Sequence, residues 1–229
     1  MSGGKGRGRM ATDAVTDSAR DEILRRIRTA NGKRANEVAA EAGWKILERS
    51  YYRVGSLERE ALIELFEDRL RDYDARVFRV APGEVATAVG GLLAERKLQR
   101  IVVPVGLNEE WLPERFEFVV DEGLTAAELD AVDGVMTGAT VAIAATGTLV
   151  LQNLAGQGRR VATLVPDYHL CVVRAEDLVE TVPEAMTRLQ GTAGLATTFI
   201  SGPSATADIE MTRIKGVHGP RFLDVLLLG

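Results

Sequence analysis

The pattern of apolar and polar positions divides the chain into a helical first third and an alternating remainder. Before Ala75, apolar residues recur at helical spacing between charged ones, as in the run that contains Ile23, Leu24 and Ile27. This spacing predicts three amphipathic helices, each of which has to bury one face against another part of the protein. The first follows an N-cap at Ser18, the second contains residues 38–47, and the third follows Ser56.

From Ala75 onward, short apolar runs alternate with helical segments. Arg76–Val80 and Arg100–Val105 are predicted strands on either side of a predicted helix, Gly83–Lys97, which makes a βαβ unit with a parallel strand pair. Thr125 and Glu128 form a capping-box pattern at the start of another helix. Further strands are predicted at residues 117–121, 140–145, 148–152, 168–173, 197–200 and 222–228, and helical stretches at 159–164, 176–180 and 183–189. The alternation predicts an α/β fold, with a mostly parallel sheet flanked by helices and a β-hairpin at the turn 145–148.

Composition and charge bear on the domain organisation. The chain has 229 residues, of which 46% are hydrophobic and 27% charged, which is typical of a globular protein with one main domain. A glycine-rich start predicts a flexible tail at 1–12, followed by a helical segment at 13–74 and an α/β domain at 75–229. Basic residues exceed acidic ones by 20 to 16 up to position 100, and acidic ones prevail by 17 to 8 beyond it. Since the basic residues alternate with acidic ones at helical spacing, the pattern does not predict nucleic-acid binding.

The cysteine and histidine content limits the cofactors. The chain contains one cysteine, Cys171, and two histidines, His169 and His218. One cysteine cannot form a disulfide within the chain, an iron–sulfur cluster with four cysteine ligands or a zinc site with several cysteines. We therefore predict that the chain holds no metal or cofactor of its own. No apolar run reaches the ~18–20 residues that cross a bilayer, and the first ten residues lack the apolar core of a signal peptide, so we expect a cytoplasmic protein.

Four loops in the second half carry residues suited to anion binding, and open α/β sheets bind ligands in loops at the carboxyl ends of their strands. In the first loop, Thr146 and Thr148 flank Gly147 and offer hydroxyl and backbone donors, although an ordinary hairpin turn explains the same pattern equally well. In the second loop, glycines precede Arg159 and Arg160. These arginines either bind a carboxylate or phosphate or simply face the solvent.

The other two loops follow later in the chain. Loop 201–210 comes after a predicted strand, and a cap at Ser204 or Thr206 would open a short helix whose N-terminus attracts anions. A plain capped turn is the alternative. The candidate ligand-binding residues of this loop are Ser201, Gly202, Ser204 and Thr206. In the fourth loop, His218 stands between two glycines, as a proton carrier or as a residue of the loop tip.

Three residues are candidates for a catalytic role: His169, His218 and Glu210. His169 lies on the same side of its predicted strand as Cys171, so it is either a structural core residue or a proton carrier. The apolar run around Cys171 favours an inert thiol over a reactive thiolate. Glu210 is a candidate general base, but no spacing pairs it with a second acid for acid–base catalysis.

At these loops the chain resembles a known family. The segments 145–151, 158–169, 201–210 and 216–220 are similar, in this order, to the signature blocks of the LUD domain family, and the likeness extends over about 134–228. Within that family the chain is most similar to the lactate utilization protein C branch. One position departs from the family pattern. Members often carry an acidic residue just before the Thr-Gly-Thr turn, where this chain has Ala145.

The resemblance implies a fold like that of ribose-5-phosphate isomerase and the CoA transferases. It also implies a role in bacterial growth on L-lactate, as one of three proteins that together oxidise lactate to pyruvate, the other two being iron–sulfur or cysteine-rich proteins. On this basis we expect a cluster-free subunit that binds a small carboxylate or phosphate. Two alternatives stay open. One is a stand-alone isomerase or CoA-transferase-like enzyme for a phosphorylated or thioester substrate, with Glu210 as the nucleophile, and the other is a structural or regulatory partner without a ligand.

Overall fold

The computed structural model describes residues 9–30, 37–206, 214–216 and 218–229, and the chain divides into two compact units at residues 51 and 52. The first unit contains two helices, α1 (Arg9–Ala30) and α2 (Glu37–Ile46). Because α1 already begins at Arg9, Ser18 lies within the helix, and its predicted role as the N-cap is wrong. Apolar spacing identifies a helix more reliably than it locates the first turn. The predicted limits of tail, helical segment and α/β domain stay a prediction.

The second unit begins with α3 and continues as an alternation of strands and helices. Its helices are α3 (Arg59–Asp72), α4 (Val85–Glu95), α5 (Ala126–Asp130) and α6 (Val182–Arg188). The first six strands along the chain are β1 (Arg76–Val80), β2 (Arg100–Pro104), β3 (Glu117–Asp121), β4 (Gly134–Gly138), β5 (Val141–Ile143) and β6 (Thr148–Gln152). The later strands are β7 (Tyr168–Arg174), β8 (Leu178–Val179), β9 (Thr197–Ile200), β10 (Ala205–Thr206), β11 (Ile214–Lys215) and β12 (Phe222–Leu228).

Six of these strands form a fully parallel main sheet in the order β1-β12-β7-β4-β2-β3. The predicted α/β class is therefore confirmed. The predicted pairing of β1 with β2 is wrong, because β12, β7 and β4 lie between them. The strands β7 and β12 are seven residues long and almost entirely buried and apolar, which is typical of central strands covered on both faces. They occupy the centre, and β1 is left at the edge.

A second, small sheet of order β8-β5-β6-β9 covers one face of the main sheet together with α3. On that side Phe66 and Leu70 of α3 share a core with Cys171 of β7. On the opposite face, Leu93 of α4 packs with Leu170 of β7. Both faces of the main sheet are thus covered, and its strand ends remain as the places where loops can form a site.

Some of the elements predicted from local sequence signals are present in the structure and others are not. The capping box of Thr125 and Glu128 is present and opens α5, and β5 and β6 form the predicted antiparallel hairpin. The helical stretches predicted at 159–164 and 176–180 are wrong. The first is a series of turns, and the second is a 3-10 turn followed by β8, because Leu178 and Val179 are buried and pair with β5. No helix in the described part of the chain is long and apolar enough to cross a membrane.

Candidate ligand-binding cleft

A cleft of about 370 Å³ lies where β2, β4 and β7 end. This size falls in the range of small-molecule sites, and the carboxyl ends of parallel strands are the usual place for them in open α/β sheets. The residues that line the cleft are Gly106, Leu107, Asn108, Trp111, Gly138, Ala139, Ala155, Gly156, Gln157, Val172, Arg174, Glu176 and Asp177. We refer to it as the carboxyl-edge cleft.

Glycines shape one wall of this cleft by letting two loops meet. Gly106 and Gly156 have φ values of 79° and 76°, in the left-handed region that side chains rarely adopt. A Cβ atom on Gly106 would lie 2.8 Å from Cβ of Ala155. Gly156 N donates to Val105 O at 2.9 Å, and Gly138 N donates to Gly156 O at 2.7 Å. These two hydrogen bonds fix the loop after β6 across the ends of β2 and β4.

Two amide side chains in the cleft have their oxygen atoms engaged by the protein. Oδ1 of Asn108 accepts from Glu110 N at 3.1 Å, and Oε1 of Gln157 accepts from Gln152 N at 2.7 Å and from Thr140 Oγ1 at 2.8 Å. These bonds orient both amides, so the group each one has left to offer a ligand is its NH₂ donor. Donors of this kind suit an acceptor such as a carboxylate.

Charged residues complete the cleft at the end of β7. Arg174 is the last residue of the strand, and its guanidinium lies 3.5 Å from the carboxylate of Glu176. Asp177 lies 4.0 Å from Arg188. Burial, together with the neighbouring charge of Glu176, raises the pKa of Asp177 above its usual value. The cleft therefore combines two amide donors and the Arg174–Glu176 ion pair with the carboxyl group of Asp177, whose affinity for a proton is increased.

Arg159 also lies at the carboxyl edge, in an adjoining cavity of about 350 Å³. Its guanidinium forms two hydrogen bonds with Asp121, of 3.0 and 2.6 Å, and a third with Leu124 O at 2.9 Å. The pair lowers the pKa of Asp121. Arg160 instead donates to the backbone and hydroxyl oxygens of Thr163, both at 3.2 Å. The arginine predicted as a bidentate anion ligand thus has a carboxylate partner within the protein.

The hydroxyls of the first and third predicted loops come together. Oγ1 of Thr148 lies 2.7 Å from Oγ1 of Thr146 and 2.7 Å from Oγ of Ser201. We refer to these three residues as the hydroxyl chain. Gly147, with φ 57°, packs against the backbone of Arg69 in α3. None of the three residues lines the carboxyl-edge cleft. An anion-binding role for them stays a prediction.

The rest of the third loop joins the fourth one. Gly202 packs against Tyr73, and Ser204 N donates to Pro220 O at 2.8 Å. Ser204 Oγ accepts from the backbone N of the exposed His218 at 3.1 Å, and Thr206 belongs to β10. The described residues of both loops therefore lie near the amino end of β12, away from the carboxyl-edge cleft, although Ser201 directly follows the carboxyl end of β9 in the second sheet. A ligand-binding role for them stays a prediction. Glu210 lies outside the described residues.

His169 is buried near the amino end of β7. Its Nε2 lies 2.8 Å from Oγ1 of Thr137, and this hydroxyl lies 3.7 Å from Sγ of Cys171. Burial, with a contribution from the charge of Arg160, lowers the pKa of His169 to about 3, and burial raises the pKa of Cys171 to about 12. At neutral pH both groups are uncharged. A proton-carrier role for either His169 or His218 stays a prediction.

Sequence reasoning missed most polar residues of the cleft, among them Asn108, Arg174, Glu176 and Asp177. A signal for one of them was present. Arg174 is the first charged residue after the apolar run 168–173, and the end of a buried parallel strand is where ligands bind in this class of fold. The other three depend on how the loops fold back over the strand ends, which the pattern of the chain does not specify.

Comparisons with known proteins agree with the resemblance found in the sequence. The model of the LUD domain matches residues 63–228. A protein named Lactate utilization protein C from Deinococcus radiodurans is 42% identical over 176 residues, which is 76% of this chain and 82% of that protein. A second protein of that name, from Bacillus pumilus, is 29% identical and covers 90% of this chain and 94% of its own length.

A solved structure supports the fold. The crystal structure of a DUF162 family protein from Deinococcus radiodurans superposes with a TM-score of 0.67 at 36% sequence identity. The match covers 76% of this chain and all of the other one. The predicted resemblance is therefore confirmed in both sequence and architecture.

Proposed function

The chain belongs to the LUD domain family, and we propose that it serves bacterial lactate utilisation as a cluster-free subunit that binds a small carboxylate. The observation that carries the role is the 42% identity, over 76% of the chain, to a protein named Lactate utilization protein C. The observation that supports a bound carboxylate is the set of donors in the carboxyl-edge cleft.

The proposed ligand is a 2-hydroxy or 2-keto acid of the size of lactate or pyruvate. Arg174 would pair with its carboxylate, and the amide nitrogens of Asn108 and Gln157 would donate to its oxygens. Asp177 stands in the same cleft, and its raised pKa suits it to exchange a proton with the hydroxyl or keto oxygen of the ligand. Binding and proton exchange in this form require no metal.

The electrons of lactate oxidation need another carrier. Conversion of lactate to pyruvate releases two electrons and two protons, and a chain with one cysteine cannot bind a cluster with four cysteine ligands. We therefore propose that iron–sulfur or cysteine-rich partner proteins accept the electrons. Co-expression of this chain with iron–sulfur and cysteine-rich proteins of the same bacterium should yield a complex whose visible absorption and reduced-state paramagnetic signal come from the partners. Separate elution of all components would contradict this part of the proposal.

A growth experiment tests the role itself. Deletion of the gene should abolish growth on L-lactate as the sole carbon source and leave growth on pyruvate unchanged. A plasmid copy of the wild-type gene should restore growth, and a copy with Arg174→Gln should restore it poorly although the protein accumulates to the same level. Normal growth of the deletion strain on lactate would overturn the proposed role.

A second function is favoured by one observation, the neighbouring carboxyl groups of Glu176 and Asp177 in the cleft. A carboxylate can act as the base of a sugar-phosphate isomerase, and a covalent CoA transferase uses a glutamate nucleophile, so a stand-alone enzyme of either kind could use these residues. Incubation of the purified protein with sugar phosphates and with acyl-CoA donors distinguishes the two functions. Turnover that disappears in Glu176→Gln would support the enzyme, and an absence of turnover with all of these substrates would support the binding subunit.

A further inference from the structure

The first strand of the main sheet has an open edge. β1 pairs with β12 on one side, and no strand of the described part of the chain pairs with the other side. Val80 O accepts a hydrogen bond from Gly229 N at 3.3 Å, so the backbone groups of Val80 point toward β12. Backbone groups alternate in direction along a strand, and those of Val77 and Arg79 therefore point outward. This edge offers two N–H donors and two C=O acceptors without a strand partner.

An apolar groove runs beside this edge, between β1 and α4, with a volume of about 510 Å³. Phe78, Leu92 and Leu226 line it, and its charged residues are Arg79 and Glu84. The guanidinium of Arg79 forms ion pairs with Glu60 and Glu67 of α3 in its own chain, so its charge is already compensated, and the groove presents mainly apolar side chains to a second groove of the same kind. An open strand edge next to an apolar surface is the arrangement that binds an added strand.

We propose that β1 pairs in antiparallel fashion with β1 of a second copy of this chain, around a two-fold axis at Phe78. In this register Val77 stands opposite Arg79 of the second copy, and the symmetry repeats the pair. These are the residues whose backbone groups point outward, so each pair exchanges both hydrogen bonds and all outward groups find partners. The two main sheets then join into one continuous sheet.

The side chains fit the same register. Phe78 stands opposite its own copy in a pair without hydrogen bonds, the position at which side chains across an antiparallel pair come closest and aromatic pairs stabilise the sheet. The two copies of α4 lie on one face of the joined sheet, and their exposed residues Thr87, Gly91 and Ala94 are small. Such residues allow two helices to approach closely. A two-fold interface requires a surface that is complementary to itself, and this edge meets that condition.

The opposite edge of the main sheet, formed by β3, is less suited to pairing with a second copy of itself. Antiparallel self-pairing of β3 around its central residue would place Glu117 directly opposite Asp121 of the other copy, and facing like charges destabilise a strand pair. In the β1 pair, Arg76 stands opposite Val80. The charge of Arg76 is already held within its own chain by Asp224 and Glu95.

Sedimentation equilibrium of the wild-type protein and one variant tests this pairing. We expect a mass of twice 24.8 kDa for the wild type and of 24.8 kDa for Gly91→Arg, whose long side chain would stand between the two helices. A Cβ at position 91 meets no atom within 4 Å, so the substitution fits the isolated chain. Gly194→Arg, at another position with open space, is the matched control and should remain a dimer. A monomeric wild type, or a dimer that persists in Gly91→Arg, would overturn the proposal.

Hydrogen exchange of the wild type alone gives a second test that does not depend on a variant. The amides of Val77 and Arg79 should exchange slowly in concentrated solution and faster on dilution. The amide of Val80, which points toward β12, should stay slow at both concentrations. Fast exchange of Val77 and Arg79 in a concentrated dimer would show that the copies meet elsewhere and would overturn the proposal.

Discussion

Asp224 of β12 and Arg96, just after α4, form a bidentate ion pair with distances of 2.9 Å from Nε to Oδ2 and 2.8 Å from Nη2 to Oδ1. Arg76 approaches the same carboxylate with two further hydrogen bonds, of 3.0 and 2.7 Å, and Tyr168 donates its hydroxyl at 3.0 Å. Asp224 is fully buried. Burial opposes its ionisation, but the hydrogen bonds of both guanidinium groups keep its pKa below the usual range. The carboxylate thus holds β1, β12 and the end of α4 together.

Asp224→Asn should therefore destabilise the protein strongly. The amide cannot balance two guanidinium groups, and the loss of one partner from a buried ion pair costs about 3–5 kcal/mol of unfolding free energy. Urea unfolding at pH 7 measures this loss. Asp130→Asn, an exposed aspartate near the same strand ends, is the control and should change the free energy of unfolding by less than about 0.5 kcal/mol. A loss below about 1 kcal/mol for Asp224→Asn would contradict the structural role.

The buried His169 predicts how stability depends on pH. Its native pKa is about 3, whereas in the unfolded chain the imidazole takes up a proton near pH 6.5. Between these pH values the unfolded state binds one more proton than the native state. The free energy of unfolding therefore falls as the pH drops from 6.5 toward 3, and His169 contributes up to about 1.4 kcal/mol per pH unit to this fall. The free energy of unfolding, measured in urea at pH 6.5 and at pH 5, should therefore fall less in His169→Gln than in the wild type, and the difference is the contribution of this imidazole. Equal falls in both proteins would argue against a neutral buried imidazole.

Gly106→Ala should damage the wall of the carboxyl-edge cleft. The new Cβ would lie 2.8 Å from Ala155, at a φ of 79° that alanine adopts only with strain. We expect a loss of more than about 1 kcal/mol in unfolding free energy. Gly83→Ala, where a Cβ meets no atom within 4 Å, is the matched control and should be close to neutral. Similar thermal unfolding of the two variants would show that the close contact of the two loops is not essential.

Much of the fold could be predicted because its signals are local. The apolar runs of β7 and β12, the capping box at Thr125 and the hairpin at Gly147 each depend on a few neighbouring residues. The order of the strands could not be predicted in this way. The insertion of β12 between β1 and β7 depends on pairs of residues that are 148 positions apart for β1 and 54 positions apart for β7. The position of β12 thus decides that β1 is left at the edge.

The candidate site was harder to predict for a related reason. The signature loops around Thr148 and Ser201 do come together, but they do so beside α3. The cleft instead combines Asn108 and Gln157, from two separate loops, with Arg174 at the end of β7. The residue types in the loops indicated which residues could bind an anion. Only the strand order shows which of them stand at the carboxyl ends, because the direction of each strand decides at which edge its loops lie.

Thr148→Val separates a structural from a ligand-binding role of the hydroxyl chain. The change removes the central hydroxyl of the three, which is buried while Thr146 and Ser201 are exposed, and we expect a loss of about 1 kcal/mol in unfolding free energy. Thr187→Val on α6, an exposed position, is the control. If the hydroxyls also bind an anion, as the sequence predicts, thermal stabilisation by phosphate should fall in Thr148→Val and persist in Thr187→Val. Equal stabilisation of both variants would leave the hydroxyl chain with a structural role alone.

Calorimetric titration of the wild-type protein with L-lactate and pyruvate decides whether the carboxyl-edge cleft is a carboxylate site. We predict saturable binding of at least one of these acids. Arg174→Gln should weaken it about tenfold or more, because hydrogen bonds to a charged group contribute about 1.5–3 kcal/mol. Arg100→Gln, an exposed arginine at the opposite strand end, should bind like the wild type. No binding by the wild type, or unchanged affinity in Arg174→Gln, would contradict a carboxylate site in this cleft.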